Sequence, residues 1–500
     1  MNYTKEQLEI IKSTKQNFSV NAGPGMGKTH TLLGIAQYNN SNTKILCFNK
    51  MIQMELLEKI KKLNRNNISA LTFHGMAYEY FGRSNLRFNH VENGIIKQHF
   101  VNFNFRDFNE PLDFFSMIKI LKILKEKKLL EEYDRNDNYI KKLVNYFDEF
   151  CKSDLYPKDF KKLFYKDFKD DELKKIFNND TKAITNYIIF DETAPMFHNF
   201  YIKYFQLYLM QGRIRYSTTI LLIDEYQDVS KCYQSIIDCI NAGKVIKVGD
   251  TLQKIYGYNG ANGMNGFDYK LSQSFRIGYD NSKLANKIIN VLLKTNDFDF
   301  IGVNKNQKIV EELNTIDKTI IFRTNKELLK RLIYETIKNN QKCSISEGLY
   351  KDLNNILNLT SVKENKIYYW YRGIKFTSQE MIKDYANRTD NEILKKTIMF
   401  LDLYKEKTYE ILYKVRNMTT TNEKQLNTLH LVTAHRCKGM EFENVEIADD
   451  FPTIQNLTEM KMKGEPFEDE LYVLYVAITR SFGKLKLNND LYTFYKRWCK

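Results

Sequence analysis

The chain has 500 residues, and 76 Lys and Arg against 61 Asp and Glu leave a net charge of +15. At about 150 residues per domain this allows roughly three domains, and a chain of that size buries enough surface to need neither disulfides nor metal for stability. Six prolines and 21 glycines exclude collagen-like and low-complexity architectures. The longest apolar runs, such as residues 219–223, are strand-sized, so no membrane span is expected, and residues 1–7 carry no apolar signal core. The expectation is a soluble, intracellular protein. Its seven Cys form no CxxC pair and its seven His are scattered, which predicts neither a disulfide framework nor a zinc site. The excess of positive charge suits a polyanionic partner.

The first informative segment begins at Phe18 as a short strand, continues as NAGPGMGKT over residues 21–29, and ends in a helical pattern through Leu32, Leu33, Ile35 and Ala36. Strand, glycine loop and helix are the context of a phosphate-binding loop. Gly23, Gly25 and Gly27 let backbone amides turn toward phosphate oxygens. Lys28 adds a point charge, and the Thr29 hydroxyl suits Mg²⁺. Ala22 stands where the strict pattern has its leading glycine, while the G-x-G-K-T core is intact.

Residues 118–128 carry Lys119, Lys122, Lys125, Lys127 and Lys128 among Ile120, Leu121, Ile123 and Leu124 at a helical period, and read as a solvated helix face in preference to a duplex-contacting patch. Asp191-Glu192 ends an apolar stretch but lacks a following Gln-Asp, so it reads as a turn. Residues 220–228, ILLIDEYQD, are different: an apolar strand delivers two carboxylates. Asp224 is placed to hold Mg²⁺ and Glu225 to orient or deprotonate a water. Cys232 and Cys239, seven apart on one helix, read as core. Residues 245–261, VIKVGDTLQKIYGYNGA, form another strand and polar loop, in which Gln253 is suited to sensing a phosphate and Tyr256 and Tyr258 to stacking on unpaired bases.

Together these segments resemble the UvrD/Rep-like superfamily-one DNA helicases, with the F-box DNA helicase branch nearest in look. The resemblance is an ordered series over most of the chain. Residues 4–7, ending in Gln7, resemble the adenine-reading motif. Phe48 and Asn49 in ILCFNK, and Thr72 and His74 in TFH, resemble elements that touch single-stranded DNA. Phe275 and Arg276 resemble an adenine-stacking aromatic and a γ-phosphate arginine, and Arg323–Asn325 the short element that follows. His435, Gly439 and Glu441 lie in a stretch similar to the motif that couples ribose contact to DNA. Arg480, closing LYVAITR, resembles the arginine finger. The series departs from the family at Pro24, Asn259, Arg436 and Cys437, none of them required for hydrolysis.

The resemblance implies an α/β fold: two RecA-like parallel-sheet P-loop NTPase domains with two largely helical inserted subdomains. Residues 1–82 and 212–268 would form domain 1A, with 83–211 inserted as 1B. Residues 269–325 and 425–500 would form 2A, with 326–424 as 2B. ATP would bind with Mg²⁺ between Lys28, Thr29, Asp224, Glu225 and Gln253 on one side and Arg276 and Arg480 on the other, so that hydrolysis waits for closure. The implied activity is 3′→5′ movement of a monomer along single-stranded DNA with duplex separation at single/double-strand junctions. A translocase that strips bound proteins without processive unwinding would carry the same motifs. A non-motor binding protein would require loss of Lys28, Glu225 or Arg480, and all are present. A small-molecule kinase would leave most of the series unexplained.

Overall fold

The computed structural model describes residues 3–83, 87–92, 95–100, 112–191, 194, 197–255, 266–294, 299–363, 366–372, 374–389, 391–422, 425 and 427–499. Its strands in chain order are β1 (Asn17–Ala22), β2 (Thr43–Cys47), β3 (Ile68–Thr72), β4 (Arg87–Glu92), β5 (Ile95–Phe100), β6 (Ser217–Ile223), β7 (Asn241–Gly249), β8 (Tyr269–Leu271), β9 (Gln273–Ser274) and β10 (Ile301–Gly302). They continue with β11 (Lys308–Val310), β12 (Thr319–Phe322), β13 (Cys343–Ser344), β14 (Tyr369–Tyr371), β15 (Ile374–Phe376), β16 (Thr419–Thr420), β17 (Leu429–Thr433), β18 (Phe442–Ile447) and β19 (Ser481–Lys486). Two large sheets result, one six-stranded in the order β3-β2-β6-β7-β1-β8 and one seven-stranded in the order β11-β19-β18-β12-β17-β13-β16. β2 pairs in parallel with β3 and β6, and β6 with β7. Every neighbour pair of the second sheet is parallel. The expected mixed α/β fold with two RecA-like sheets is therefore present.

The described residues form two compact units: those within 1–20, 29–249 and 256–269, and those within 21–28, 250–255 and 270–500. In the first unit the central strands read as apolar runs because helices cover both faces of a parallel sheet. Ile220, Leu221, Leu222 and Ile223 of β6 are all 3% exposed or less. Leu46, Leu221 and Ile223 share one hydrophobic cluster with Phe147, Phe177 and Phe205 from the helices Asp137–Lys152, Asp171–Phe190 and His198–Met210. The segment interrupting this sheet thus packs into the same core as the sheet. Arg135 braces it by gripping the buried Asp180 through Nε (2.7 Å) and Nη2 (2.9 Å), and the Tyr139 hydroxyl donates to the same carboxylate at 2.7 Å.

The lysine face comes out as read: in the helix Phe114–Glu126, Ile120, Leu121 and Leu124 are buried while Lys119, Lys122 and Lys125 face solvent. Asp191 follows the helix Asp171–Phe190 directly and pairs with Lys127. Cys232 is buried within the helix Lys231–Cys239, and neither it nor Cys239 is disulfide-bonded. In the second unit, Ile320, Phe322 and Leu431 of the sheet pack with Leu332, Leu353, Phe400 and Leu412 of flanking helices. A smaller core gathers Tyr371 and Phe376 of the β14–β15 hairpin with Ile382, Ala386 and Leu394. Among the described residues no helix is long and apolar enough to cross a membrane.

Candidate functional site

The glycine loop of residues 21–28 lies in the second unit, against the segment that follows β9. Gly25 has φ 67° and Gly27 φ 81°, left-handed conformations that favour glycine. At Gly25 the need is doubled, because a Cβ there would stand 2.3 Å from the Arg276 Cβ. The close approach is held by Phe275 N–H donating to the Gly25 carbonyl (2.9 Å) and the Ser274 hydroxyl donating to the Pro24 carbonyl (2.6 Å). Gly23 N–H donates to Met26 Sδ at 2.9 Å, and Lys28 Nζ reaches the Ala22 carbonyl at 3.4 Å.

Around this loop the same unit gathers much of the candidate nucleotide machinery. Arg276 pairs with Glu441 and directs Nη1 toward the Thr479 carbonyl at 3.5 Å, while its enclosed Nε has no hydrogen-bond partner. Arg480 is 1% exposed, its Nε donating to the Val476 carbonyl (2.8 Å) and its Nη2 to the Thr479 hydroxyl (3.1 Å). Gln253 is 2% exposed with an enclosed, unpartnered Nε2, and its carbonyl accepts from Lys438 Nζ at 2.6 Å. The Tyr475 hydroxyl donates to Asp250 at 3.4 Å. Phe275 is half exposed, presenting a ring face, and Gly439 takes φ 84°. Unpartnered buried donors carry a desolvation cost of about 1–3 kcal/mol each. A polyphosphate, with its many acceptor oxygens, is a group that relieves such a cost.

In the first unit, Asp224 closes β6. It is 4% exposed, its N–H donates to the Leu46 carbonyl (2.9 Å), and its Oδ1 accepts from Glu225 N–H (2.9 Å). Glu225 adopts φ 52°, ψ 44°, a left-handed conformation uncommon for a residue with a side chain. Such strain costs about 1–3 kcal/mol and survives where surrounding structure enforces it. Beside Glu225 lies Gln227. That residue is fully buried, its amide donates to the Glu225 carboxylate, and a Cβ on Gly249 of the neighbouring strand would stand 2.5 Å from its Oε1. Reading the sequence missed Gln227 as a functional position, although an amide two residues after the candidate base was the available signal. Asp224 and the Thr29 hydroxyl offer oxygen donors, the set a hard cation such as Mg²⁺ takes alongside waters and phosphates. Among the described residues no cluster of three or more His, Cys, Asp or Glu gathers to hold a metal by itself.

Phe48, Asn49, Thr72 and His74 come together around a cavity of about 500 Å³ that Lys152, His198 and Tyr233 also line. It opens where β2 and β3 give way to helices, at the carboxyl ends of parallel strands where ligands of open α/β sheets bind. Asn49 Oδ1 accepts from Ile52 N–H (2.9 Å) and caps the helix Lys50–Lys62, while the Thr72 hydroxyl accepts from Gly75 N–H (2.8 Å) in the helix Phe73–Arg83. The His74 ring stacks on His198 with centroids 3.9 Å apart, and its Nδ1 lies 3.3 Å from the Tyr233 hydroxyl. Burial, and then His198, lower the His74 pKa to about 3. It therefore meets a ligand as a neutral imidazole.

The remaining candidates lie elsewhere. Gln7 is buried in a capping box, its Oε1 accepting from Thr4 N–H at 3.0 Å. His435 is held neutral chiefly by burial, with Arg323 adding to the effect, and Arg323 itself grips Glu470 through Nε and Nη2. Tyr256, Tyr258 and Asn259 lie outside the described residues.

The UvrD/REP helicase N-terminal domain matches residues 3–270. The chain is 28% identical over 357 residues to F-box DNA helicase protein 1 of Schizosaccharomyces pombe, covering 64% of this chain and 39% of that protein. It is 26% identical over 300 residues to F-box DNA helicase 1 of Gallus gallus, covering 54% and 29%. It is 23% identical over 406 residues to ATP-dependent DNA helicase PcrA of Staphylococcus aureus, covering 76% and 52%. The match thus spans well under half the length of either F-box relative.

Proposed function

We infer the function from one premise: this chain belongs to the UvrD/REP helicase family, whose N-terminal domain it matches over residues 3–270. The reading is an ATP-dependent DNA helicase that moves 3′→5′ along single-stranded DNA and opens duplex at junctions, working as a monomer inside the cell. The observation that carries it is the unpartnered, enclosed pair of donors, Arg276 Nε and Gln253 Nε2, in the unit where Gly25 is pressed against Arg276. Relatives named as DNA helicases support the substrate, and so does the net charge of +15. The direction rests on the form of residues 253–261, which belongs to the 3′→5′ branch.

In this reading Gly23, Gly25, Gly27, Lys28 and Thr29 cradle the phosphates, with Gln7 and Phe275 on the adenine and Gly439 and Glu441 near the ribose. Mg²⁺, held through Asp224 and Thr29, would supply neutralisation of phosphate charge. Glu225 takes the proton of the attacking water as the bond to the γ-phosphorus forms and the β,γ-bridging bond breaks, releasing ADP and phosphate. Gln253 reports the terminal phosphate, and Arg276 and Arg480 neutralise charge that develops in the transition state. Phe48, Asn49, Thr72, His74, Tyr256, Tyr258 and His435 contact the strand. Domains 1A, 1B, 2A and 2B are assigned at the boundaries given above. ATP hydrolysis measured with and without single-stranded DNA tests the reading, with Lys28→Ala as control. Stimulation that disappears in the variant is expected, while hydrolysis indifferent to DNA refutes a DNA motor. Unwinding only of substrates with 5′ tails refutes the direction.

A further inference from the structure

The β14–β15 hairpin of the second unit has two unlike faces. Its register pairs Tyr369 with Phe376, Trp370 with Lys375 and Tyr371 with Ile374. Tyr371 (7% exposed) and Phe376 (0%) point into a small core with Ile382 and Leu394. The opposite face is built from side chains that a core would accept, yet it holds them in solvent: Trp370 is 58% exposed and Tyr368 56%. Alternation along a strand puts Tyr368 and Trp370 on one side. Lys375, directly across from Trp370, sets its ammonium 4.0 Å from the Tyr368 ring centroid. From residue 366 to residue 376 the sequence has three cations, Lys366, Arg372 and Lys375, and no carboxylate.

Contiguous exposed aromatic surface marks an interaction site, and the charge around it selects the partner. A protein-docking patch is not defined by cations alone, whereas aromatic faces interleaved with Lys and Arg are what unpaired bases on a phosphate backbone require. Duplex bases keep their faces stacked on one another and cannot use the rings. We propose that the outer face of this hairpin, with Tyr368, Trp370 and Lys375 at its centre, is a stacking platform for unpaired bases of a single nucleic-acid strand. The proposal rests on the reading of the chain as a single-stranded-DNA motor and adds a contact outside the motif series. None of its residues belongs to the nucleotide machinery.

The chain contains two tryptophans, which makes the platform its own reporter. The 500-residue chain carrying Trp498→Phe keeps Trp370 as its one indole. Its emission is followed as oligo(dT) is added without nucleotide, alongside anisotropy of a labelled oligo(dT) strand. The expected result is quenching and protection from iodide that saturate with the anisotropy. In the otherwise native chain, Trp370→Ala weakens oligo(dT) affinity about tenfold, the size of one lost base stack. Trp370→Phe largely restores affinity, and DNA-free ATP hydrolysis stays unchanged in both variants. Full binding by anisotropy with Trp370 emission and iodide access unchanged overturns the platform and leaves the motor reading standing; a face that serves a protein partner gives this result. Absence of any oligo(dT) binding overturns both.

Discussion

Gly25→Ala separates two costs that usually arrive together. An alanine at φ 67° bears the left-handed penalty of about 1–2 kcal/mol. It also places a Cβ 2.3 Å from the Arg276 Cβ and 3.0 Å from the Arg276 nitrogen. Carbon atoms rest about 3.5–4.0 Å apart, so the loop or the Arg276 backbone has to move by more than 1 Å, roughly, on that distance. The move would break the Phe275 and Ser274 bonds that hold the loop (2.9 and 2.6 Å). Gly212 supplies the control. It has φ 66°, nearly the same backbone, and an added Cβ would meet nothing within 4 Å. Gly212→Ala is therefore expected to bear the backbone term alone, a fall of about 2–8 °C in the melting temperature of a unit this size. Gly25→Ala should fall further and should also lose nucleotide affinity by more than about tenfold, since misplacement near 1 Å at a reacting site is worth about that much or more. Thermal melts with and without a non-hydrolysable ATP analogue, with titration of a fluorescent nucleotide, measure both quantities. If Gly25→Ala binds nucleotide like the native chain and melts no lower than Gly212→Ala, the close approach of loop and Arg276 is not a working feature of the site.

Four shorter predictions follow from other contacts. Gln227→Leu removes the amide that bonds the Glu225 carboxylate, so kcat for ATP should fall by about 10²-fold with KM little changed; an equal rise in KM would assign Gln227 to binding instead. Asp180→Ala leaves Arg135 and the Tyr139 hydroxyl without their buried acceptor and should cost about 3–5 kcal/mol by denaturant unfolding, against little change for the exposed Lys351–Glu347 pair. The His74 pKa is lowered to about 3 in the folded chain, so only the unfolded chain takes up that proton as pH falls below about 6.5. The stability it contributes is thus full above about pH 6.5 and is lost toward pH 3 by at most about 1.4 kcal/mol per unit. His74→Gln should flatten that slope, leaving the share from His198, His430 and His435, whose pKa values are lowered too; an unchanged slope refutes the assignment. Asn49→Ala removes a helix cap and should lose about 1 kcal/mol of stability, whereas Asn49→Asp keeps the cap and should weaken single-stranded DNA binding by placing a carboxylate at the strand. Equal DNA affinity for Asn49→Asp and the native chain would leave Asn49 as a cap only.

What could be read from residues alone was local. The glycine loop is legible because its conformation is written in residue types: Gly25 and Gly27 take positive φ, and strand-like residues precede them while a helical pattern follows. β6 is legible for a similar reason, since four consecutive apolar residues before Asp224-Glu225 fit a strand buried on both faces. The lysine face of the helix Phe114–Glu126 is readable from period alone. Asn49 and Thr72 also carry a local signal, an Asn or Thr just before a helix, which marks a cap as well as a motif position.

The illegible part is whatever depends on residues distant in sequence meeting in space. The stacking of His74 on His198 joins a helix after β3 to a helix more than a hundred residues on, and nothing local to either announces the other. That meeting bears on the chemistry of His74: buried against a second imidazole, it is a neutral hydrogen-bonding group instead of a cation. Gln227 is the same problem at shorter range. Its amide meets the Glu225 carboxylate because Glu225 turns left-handed and because glycine at 249 on the neighbouring strand leaves the space that Gln227 Oε1 occupies, where a Cβ would stand 2.5 Å away. The sequence motif supplies Glu225, and the Gln227 amide two residues on bonds its carboxylate. The same separation explains the hairpin, where alternation predicts two faces but only the buried Tyr371 and Phe376 reveal which face is left for a partner. Function in this chain is therefore carried by short motifs whose residue types are fixed by chemistry, and tuned by long-range packing whose residue types are interchangeable with ordinary core.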